Sequence, residues 1–190
     1  MKRIALISGS QRRESYNTRL LRDFAVRLAG RCVCDLIEPA DVQLPLFNED
    51  LEHDGKVIES VASLHARVYA AQGLIVASPE YNGQLTPFLK NTIDWISRLP
   101  RISPLYSHAF LDRAILLCSA STGWSGGIAG IPHARALFGY LGGVVLGDVI
   151  NLSRAAEAWS GYGFAFDPLV EGRLDGALER LLRFSPACPA

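Results

Sequence analysis

The 190-residue sequence predicts an α/β protein built on a five-stranded, parallel, doubly wound sheet. Three observations predict it. Short apolar runs alternate with amphipathic helical patterns along the whole chain. The runs are continuously apolar, as strands covered on both faces are. Each run is followed by a helical pattern long enough to cross over to a parallel neighbour.

Ile4-Ala5-Leu6-Ile7 reads as the first, central strand. Leu20, Leu21, Phe24 and Leu28 then recur at helical spacing. Cys32 to Ile37 reads as a second strand, followed by a Pro- and acid-rich loop from Pro39 to Asp54. Val57, Ile58, Val61, Leu64 and Val68 mark the next helix. Gly73 to Ser78 is a third strand, stopped by Pro79. Phe88, Leu89, Ile93 and Ile96 predict a helix ending before Pro100, which has no N–H to continue it. Ala114–Cys118 and Val144–Ile150 complete the strands, with a helix around Ala134–Leu141 between them. Leu174, Leu178, Leu181 and Leu182 close the chain on a helix. Without an internal repeat or low-complexity linker, one domain over residues 1–190 is expected.

Composition narrows the functions. Hydrophobic residues make up 49% of the chain and charged residues 20%, which argues for an ordered globular protein. Lys plus Arg equals Asp plus Glu at 19 each, so no global field draws the chain to nucleic acid or a membrane surface. Any positive site is therefore local. The apolar run ending at Gly9 is too short for a signal peptide or membrane span, and the expected address is the cytoplasm. Four cysteines do not make a disulfide framework at this size, and a reducing compartment is expected. Cys32 and Cys34 fall on one side of a strand. His53, His65, His108 and His133 show no paired ligand spacing, so no metal is expected.

In an open α/β sheet the ligand crevice lies beyond the carboxyl ends of the strands. Three loops leave such ends with unusual chemistry. After the first strand, Gly9 to Asn17 reads Gly-Ser-Gln-Arg-Arg-Glu-Ser-Tyr-Asn and opens a helix. Hydroxyls of Ser10 and Ser15, the amide of Asn17 and the guanidinium of Arg12, set at a helix N-terminus, suit an anion. The alternative is an ordinary N-cap turn. The loop lacks the Gly-Lys-Ser/Thr ending of a nucleoside-triphosphate loop. It also lacks the later glycines of the dinucleotide fingerprint, although Glu38 sits at about the distance of its ribose contact. A monophosphate fits better.

After the third strand comes Ser78-Pro79-Glu80-Tyr81-Asn82-Gly83. Tyr81 offers a flat face for stacking, and Asn82 a donor and an acceptor for a heterocycle edge. After the fourth, Ser119 to Gly127 supplies glycines and hydroxyls whose backbone amides suit a flat ligand. A polar turn and a flexible surface loop are the plainer readings. Three such loops on one sheet edge favour a site.

These residues resemble the NADPH-dependent FMN reductase family, which includes quinone, azo-dye and chromate reductases. Gly9, Ser10, Arg12, Ser15 and Asn17 match its first loop, Gly-Ser-x-Arg-x-x-Ser-x-Asn. Pro79, Glu80, Tyr81 and Asn82 match its Pro-Glu-Tyr-Asn loop. Leu89, Lys90, Asn91, Asp94 and Trp95 match the helix that follows, and Ser121 to Gly127 is similar to its Gly-rich loop. The likeness covers about residues 1–152.

The resemblance implies a flavodoxin-like three-layer sandwich with strand order 2-1-3-4-5. It implies FMN as cofactor, with the phosphate on Ser10, Arg12, Ser15, Tyr16 and Asn17. The isoalloxazine ring would lie between Pro79, Glu80, Tyr81, Asn82 and Gly83 on one side and Ser121, Thr122, Gly123 and Gly126 on the other. NADPH or NADH would donate electrons and a quinone-like or other small molecule accept them, with no catalytic side chain needed because the flavin carries the chemistry. A homodimer or homotetramer is expected, with Trp95, Ile96 and the preceding helix at the contact; the alternative is that they simply cover the sheet. Two residues depart from a simple match: Glu14 puts a carboxylate in the phosphate loop, and Trp124 puts bulk in the Gly-rich loop.

Two rival functions are kept. A non-enzymatic electron carrier like flavodoxin is usually strongly acidic, unlike this balanced chain. A flavin-dependent regulatory protein could use Trp159, Tyr162, Phe164 and Phe166 as a partner patch.

Overall fold

A computed structural model describes residues 1–159 and 168–186. Strands β1 (Arg3–Ser8), β2 (Val33–Ile37) and β3 (Gly73–Ala77) alternate with helices α1 (Tyr16–Arg27) and α2 (Gly55–Tyr69). A hairpin, β4 (Glu80–Tyr81) and β5 (Gln84–Leu85), precedes α3 (Pro87–Ile102). Then come β6 (Ala114–Ala120), α4 (Ile131–Tyr140), β7 (Val144–Leu152), α5 (Ala155–Ala158) and α6 (Pro168–Phe184).

The five long strands pair in parallel in the order β2-β1-β3-β6-β7. Counting only these strands along the chain, the order is 2-1-3-4-5. It reverses at β1, which has β2 on one side and β3 on the other. A crevice opens at such a reversal because the two flanking connections run to opposite faces.

Side chains alternate across the sheet, so an apolar run feeds two cores. On one face Ile4, Leu6, Ile75 and Leu116 pack against Leu20, Leu21 and Phe24 of α1 and Leu174, Leu178 and Leu181 of α6. On the other, Ala5, Ile7, Leu74 and Val76 meet Leu64 and Val68 of α2, Leu89, Ile93 and Ile96 of α3, and Phe138 of α4. Each fully buried Leu, Ile or Phe contributes roughly 1.5–3 kcal/mol. Cys32 and Cys34 do share a side, with their Sγ atoms 3.8 Å apart. Among the described residues no helix is long and apolar enough to cross a membrane, and no three potential metal ligands cluster.

Two sequence expectations need correction. Helix α3 does not stop before Pro100 but continues to Ile102. Pro100 lies in its last turn, where its missing N–H costs a single bond. Leu99 is buried there, and its carbonyl still accepts from Ser103 N–H at 3.0 Å. Nor are Trp95 and Ile96 available at a surface contact, since both are buried within their own chain. Trp95 Nε1 donates to Pro45 O at 2.9 Å, and its ring meets Phe47 edge-on at 4.9 Å. Asn91 assists by donating to Pro45 O at 2.9 Å and accepting from Phe47 N–H at 2.7 Å. The motif on α3 thus pins the loop before α2.

Candidate cofactor cleft

The three loops converge on a cleft of about 260 Å³. Its first wall is Ser10, Arg12, Ser15, Tyr16 and Asn17. Gly9 starts this wall by passing close under β3, where its N–H donates to Ala77 O at 2.9 Å. Only glycine fits there, because a Cβ would sit 2.8 Å from that carbonyl oxygen and 3.0 Å from Pro79 Cδ. Ser10 Oγ accepts from Arg12 N–H at 3.3 Å, folding the loop back. Ser15 caps α1 in an extended conformation, with Oγ accepting from Thr18 N–H at 3.4 Å. An α-helix leaves its first N–H groups without intrahelical partners, and this end opens onto the cleft.

Arg12 is held over the cleft by its own loop, with Nη2 donating to Glu14 O at 2.7 Å. The backbone carbonyl of Glu14 braces Arg12, while the exposed Glu14 carboxylate adds to the field that raises the pKa of Arg22. The larger cause of that rise is the bond from Arg22 to Glu38, at 2.7 Å. Glu38, at the ribose-contact distance of another motif, is thereby committed to α1.

Asn17 reads differently from the sequence. Its side chain is buried and spans to the end of β6, donating from Nδ2 to Ala120 O at 2.8 Å and accepting at Oδ1 from Ala120 N–H at 3.0 Å. The side-chain amide acts as a short strand that locks the first loop to the third.

The second wall is Pro79, Glu80 and Tyr81. The Pro-Glu-Tyr-Asn loop is a β-hairpin, with Glu80 opposite Leu85 and Tyr81 opposite Gln84. Asn82 and Gly83 form its turn with φ of 53° and 74°, the left-handed pair a two-residue hairpin requires. Glu80 folds inward and accepts from Gly130 N–H at 3.0 Å, docking the hairpin on the start of α4. Tyr81 remains 51% exposed and lines the cleft. Thr86 joins the first two walls, donating from Oγ1 to Gly9 O at 2.5 Å while capping α3.

Ala120, Ser121 and Thr122 form the third wall. Ser121 N–H donates to Leu152 O at 3.0 Å and Ala155 N–H to Ser121 O at 2.9 Å, so β7 and α5 anchor it. Ten candidates from the sequence (Ser10, Arg12, Ser15, Tyr16, Asn17, Pro79, Glu80, Tyr81, Ser121 and Thr122) thus line one cleft. Asn82, Gly83, Gly123 and Gly126 do not line it. The first two are the hairpin tip, and Gly126 is buried against the backbone of Asn151 to Ser153. Trp124 is 86% exposed.

Residues 2–157 match the family described as NADPH-dependent FMN reductase. The chain belongs to that family. It is 39% identical over 140 residues to a probable NADPH:quinone oxidoreductase 2 of rice, covering 70% of this chain and 62% of that protein. It is 27% identical over 143 residues to a quinone reductase of Escherichia coli K12, covering 75% of this chain and 72% of the other. The chain spans about three fifths of the length of the plant quinone oxidoreductases it matches. Its fold is also that of the flavoenzyme NAD(P)H:(acceptor) oxidoreductase FerB from Paracoccus denitrificans. That likeness has a TM-score of 0.81 and 24% identity, covering 97% of each chain.

The cleft fits the FMN of this FMN reductase family. A guanidinium and two hydroxyls stand at a helix N-terminus for a phosphate, and the same cleft is lined by an exposed tyrosine and a hydroxyl-bearing strand end suited to a flat ring. Sequence reasoning missed Ala120 and Thr86. Ala120 carries no functional group, and its place at the end of β6 is its sole signal. Thr86 shows in the sequence only as a cap before Pro87.

Proposed function

We propose that the protein is an NAD(P)H-dependent, FMN-containing oxidoreductase that passes electrons from a nicotinamide cofactor to a quinone-like acceptor. The observation that carries this reading is the meeting of the hydroxyl-and-guanidinium loop, the tyrosine hairpin and the Ser121–Thr122 strand end in one cleft. Bound FMN supplies the redox chemistry. Ser10, Arg12 and Ser15 hold its phosphate. Tyr81 and Pro79 lie along one side of the ring, and Ser121 and Thr122 along the other. Asn17 and Thr86 keep the walls in register. The quinone-named relatives support the acceptor class.

The cytoplasm is the proposed compartment, in line with three free thiols among the described cysteines. A homodimer or homotetramer is the proposed assembly. With Trp95 buried, the contact is assigned to the outer face of α3 and the end of α4. There a second cavity of about 760 Å³ is lined by Arg101, His108, exposed Leu111 and exposed Tyr140. Leu111→Glu combined with Tyr140→Glu is expected to lower the mass measured by light scattering, and an unchanged mass overturns this placement.

Purified protein is expected to be yellow, and NADPH is expected to bleach it anaerobically and to be oxidised in the presence of a soluble quinone. A colourless protein that neither binds added FMN nor oxidises NADPH overturns the reading. Flavin binding with negligible turnover favours the electron carrier.

A further inference from the structure

Arg12 reaches the cleft as the end of a continuous stack of four side chains. Its guanidinium carbon lies 5.6 Å from the centroid of the Tyr16 ring. Tyr16 stacks on Trp159, with centroids 5.5 Å apart and planes 9° from parallel. Arg19 covers Trp159, its guanidinium carbon 5.1 Å from that ring centroid. Trp159 follows α5, belongs to none of the three loops and is only 8% exposed.

Resting on the FMN reading above, we propose that Trp159 is a positioning residue: through Tyr16 it holds the Arg12 guanidinium at the phosphate end of the cleft. In doing so it sets how strongly the chain prefers a phosphorylated flavin to a dephosphorylated one.

An exposed arginine has many rotamers, and an anion that recruits it must remove that freedom. Arg12 is exposed, and one hydrogen bond, to Glu14 O, leaves its remaining torsions loosely fixed. A ring beneath the guanidinium restricts it further by cation–π attraction. Stacking on a guanidinium face leaves its edges open, so the N–H groups other than the Nη2 donor to Glu14 O remain for phosphate oxygens. Tyr16 is itself only half-buried, so its plane depends on what lies behind it. Trp159, seated in the core with Leu20, Phe24 and Leu174, supplies that backing. The stack therefore runs from a rigid interior to a charged tip at the cleft.

The test measures dissociation constants of FMN and riboflavin for the full-length wild type, W159F, W159L, R12A and R12A/W159L. Trp159→Leu keeps an apolar side chain, smaller and without a ring, and is expected to weaken FMN about fivefold, the size of one cation–π contact, with riboflavin unchanged. W159F restores most of the difference. In the R12A background W159L adds nothing, because the residue acts through Arg12. Should W159L not fold, Trp159→Met, which also lacks a ring and leaves the cleft lining intact, is read by the same FMN-to-riboflavin ratio. Equal weakening of both ligands, no weakening of either, or a further loss in the R12A background overturns the positioning role. A wild type that binds neither flavin overturns the proposed function instead.

Discussion

Asn17, one residue into α1, and Ala120, the last residue of β6, exchange two hydrogen bonds of 2.8 and 3.0 Å across 103 residues of sequence. The pair imitates one rung of a sheet ladder, with a side-chain amide in place of a strand. It closes the gap between the first and third walls of the cleft and so fixes its width.

Replacing Asn17 with alanine strips both partners from buried backbone groups of Ala120. We expect a loss of about 1–3 kcal/mol in stability, because an unmet buried polar group keeps its full desolvation cost. Urea unfolding checks this. A change in stability within error means that water replaces the amide.

Arg12→Ala is expected to weaken FMN about tenfold, as loss of one charge-assisted bond does, with the melting temperature of the flavin-free protein unchanged. Ser15→Ala behaves differently. The N-cap role that the sequence offers as the alternative to anion binding is the one Ser15 fills, since it is buried and caps α1. We expect about 0.5–2 kcal/mol of destabilisation without flavin in addition to weaker binding. Thermal melts with and without FMN separate the two effects.

Gly9→Ala puts a methyl group 2.8 Å from Ala77 O and 3.1 Å from Leu89 Cδ2. Neither the strand end nor α3 can give way freely, so about 1–3 kcal/mol is lost. The first loop moves off Pro79, and FMN release from the purified holoprotein is expected to quicken. A variant as stable as wild type with unchanged release sinks the close-approach argument.

Burial raises the Cys34 thiol pKa to about 12, with Cys32 beside it adding to the rise. The folded chain therefore keeps a proton that the unfolded chain releases above about pH 8.5. Stability contributed by this site is whole below that pH and falls as pH rises towards 12. Iodoacetamide is expected to label Cys34 slowly at pH 8 although the side chain is partly exposed. Cys34→Ala is expected to flatten the alkaline limb of the stability curve. Rapid labelling at neutral pH contradicts the assignment.

How much of this was legible in the residues differs from element to element. Leu20, Leu21, Phe24 and Leu28 named their buried helix face, because periodicity is a local property of the chain. Pro100 misled, because its effect depends on where in a helix it falls and on the burial of Leu99. The Asn-Gly pair at 82–83 carried a hairpin signal that a reading for stacking chemistry passed over. The aromatic residues Tyr162, Phe164 and Phe166, weighed as a partner patch, lie outside the described residues. Their neighbour Trp159 is buried against Tyr16 and is no free patch.

By itself the sequence determined the fold class, the order of the five sheet strands and the main helices, the family motifs and the three loops that bear the cleft chemistry. Each of these follows from local composition and short-range spacing. Only the tertiary structure decided that Asn17 is a clamp and that Glu80 docks a hairpin on α4. It also decided that Glu14 braces Arg12 with its carbonyl, that Trp95 pins a loop, and that Trp159 stands behind the phosphate loop. Each of these roles rests on which atom meets which across the packed layers. Most of the partners are far apart in sequence, and one side chain can serve ligand, loop or core until packing chooses its partner.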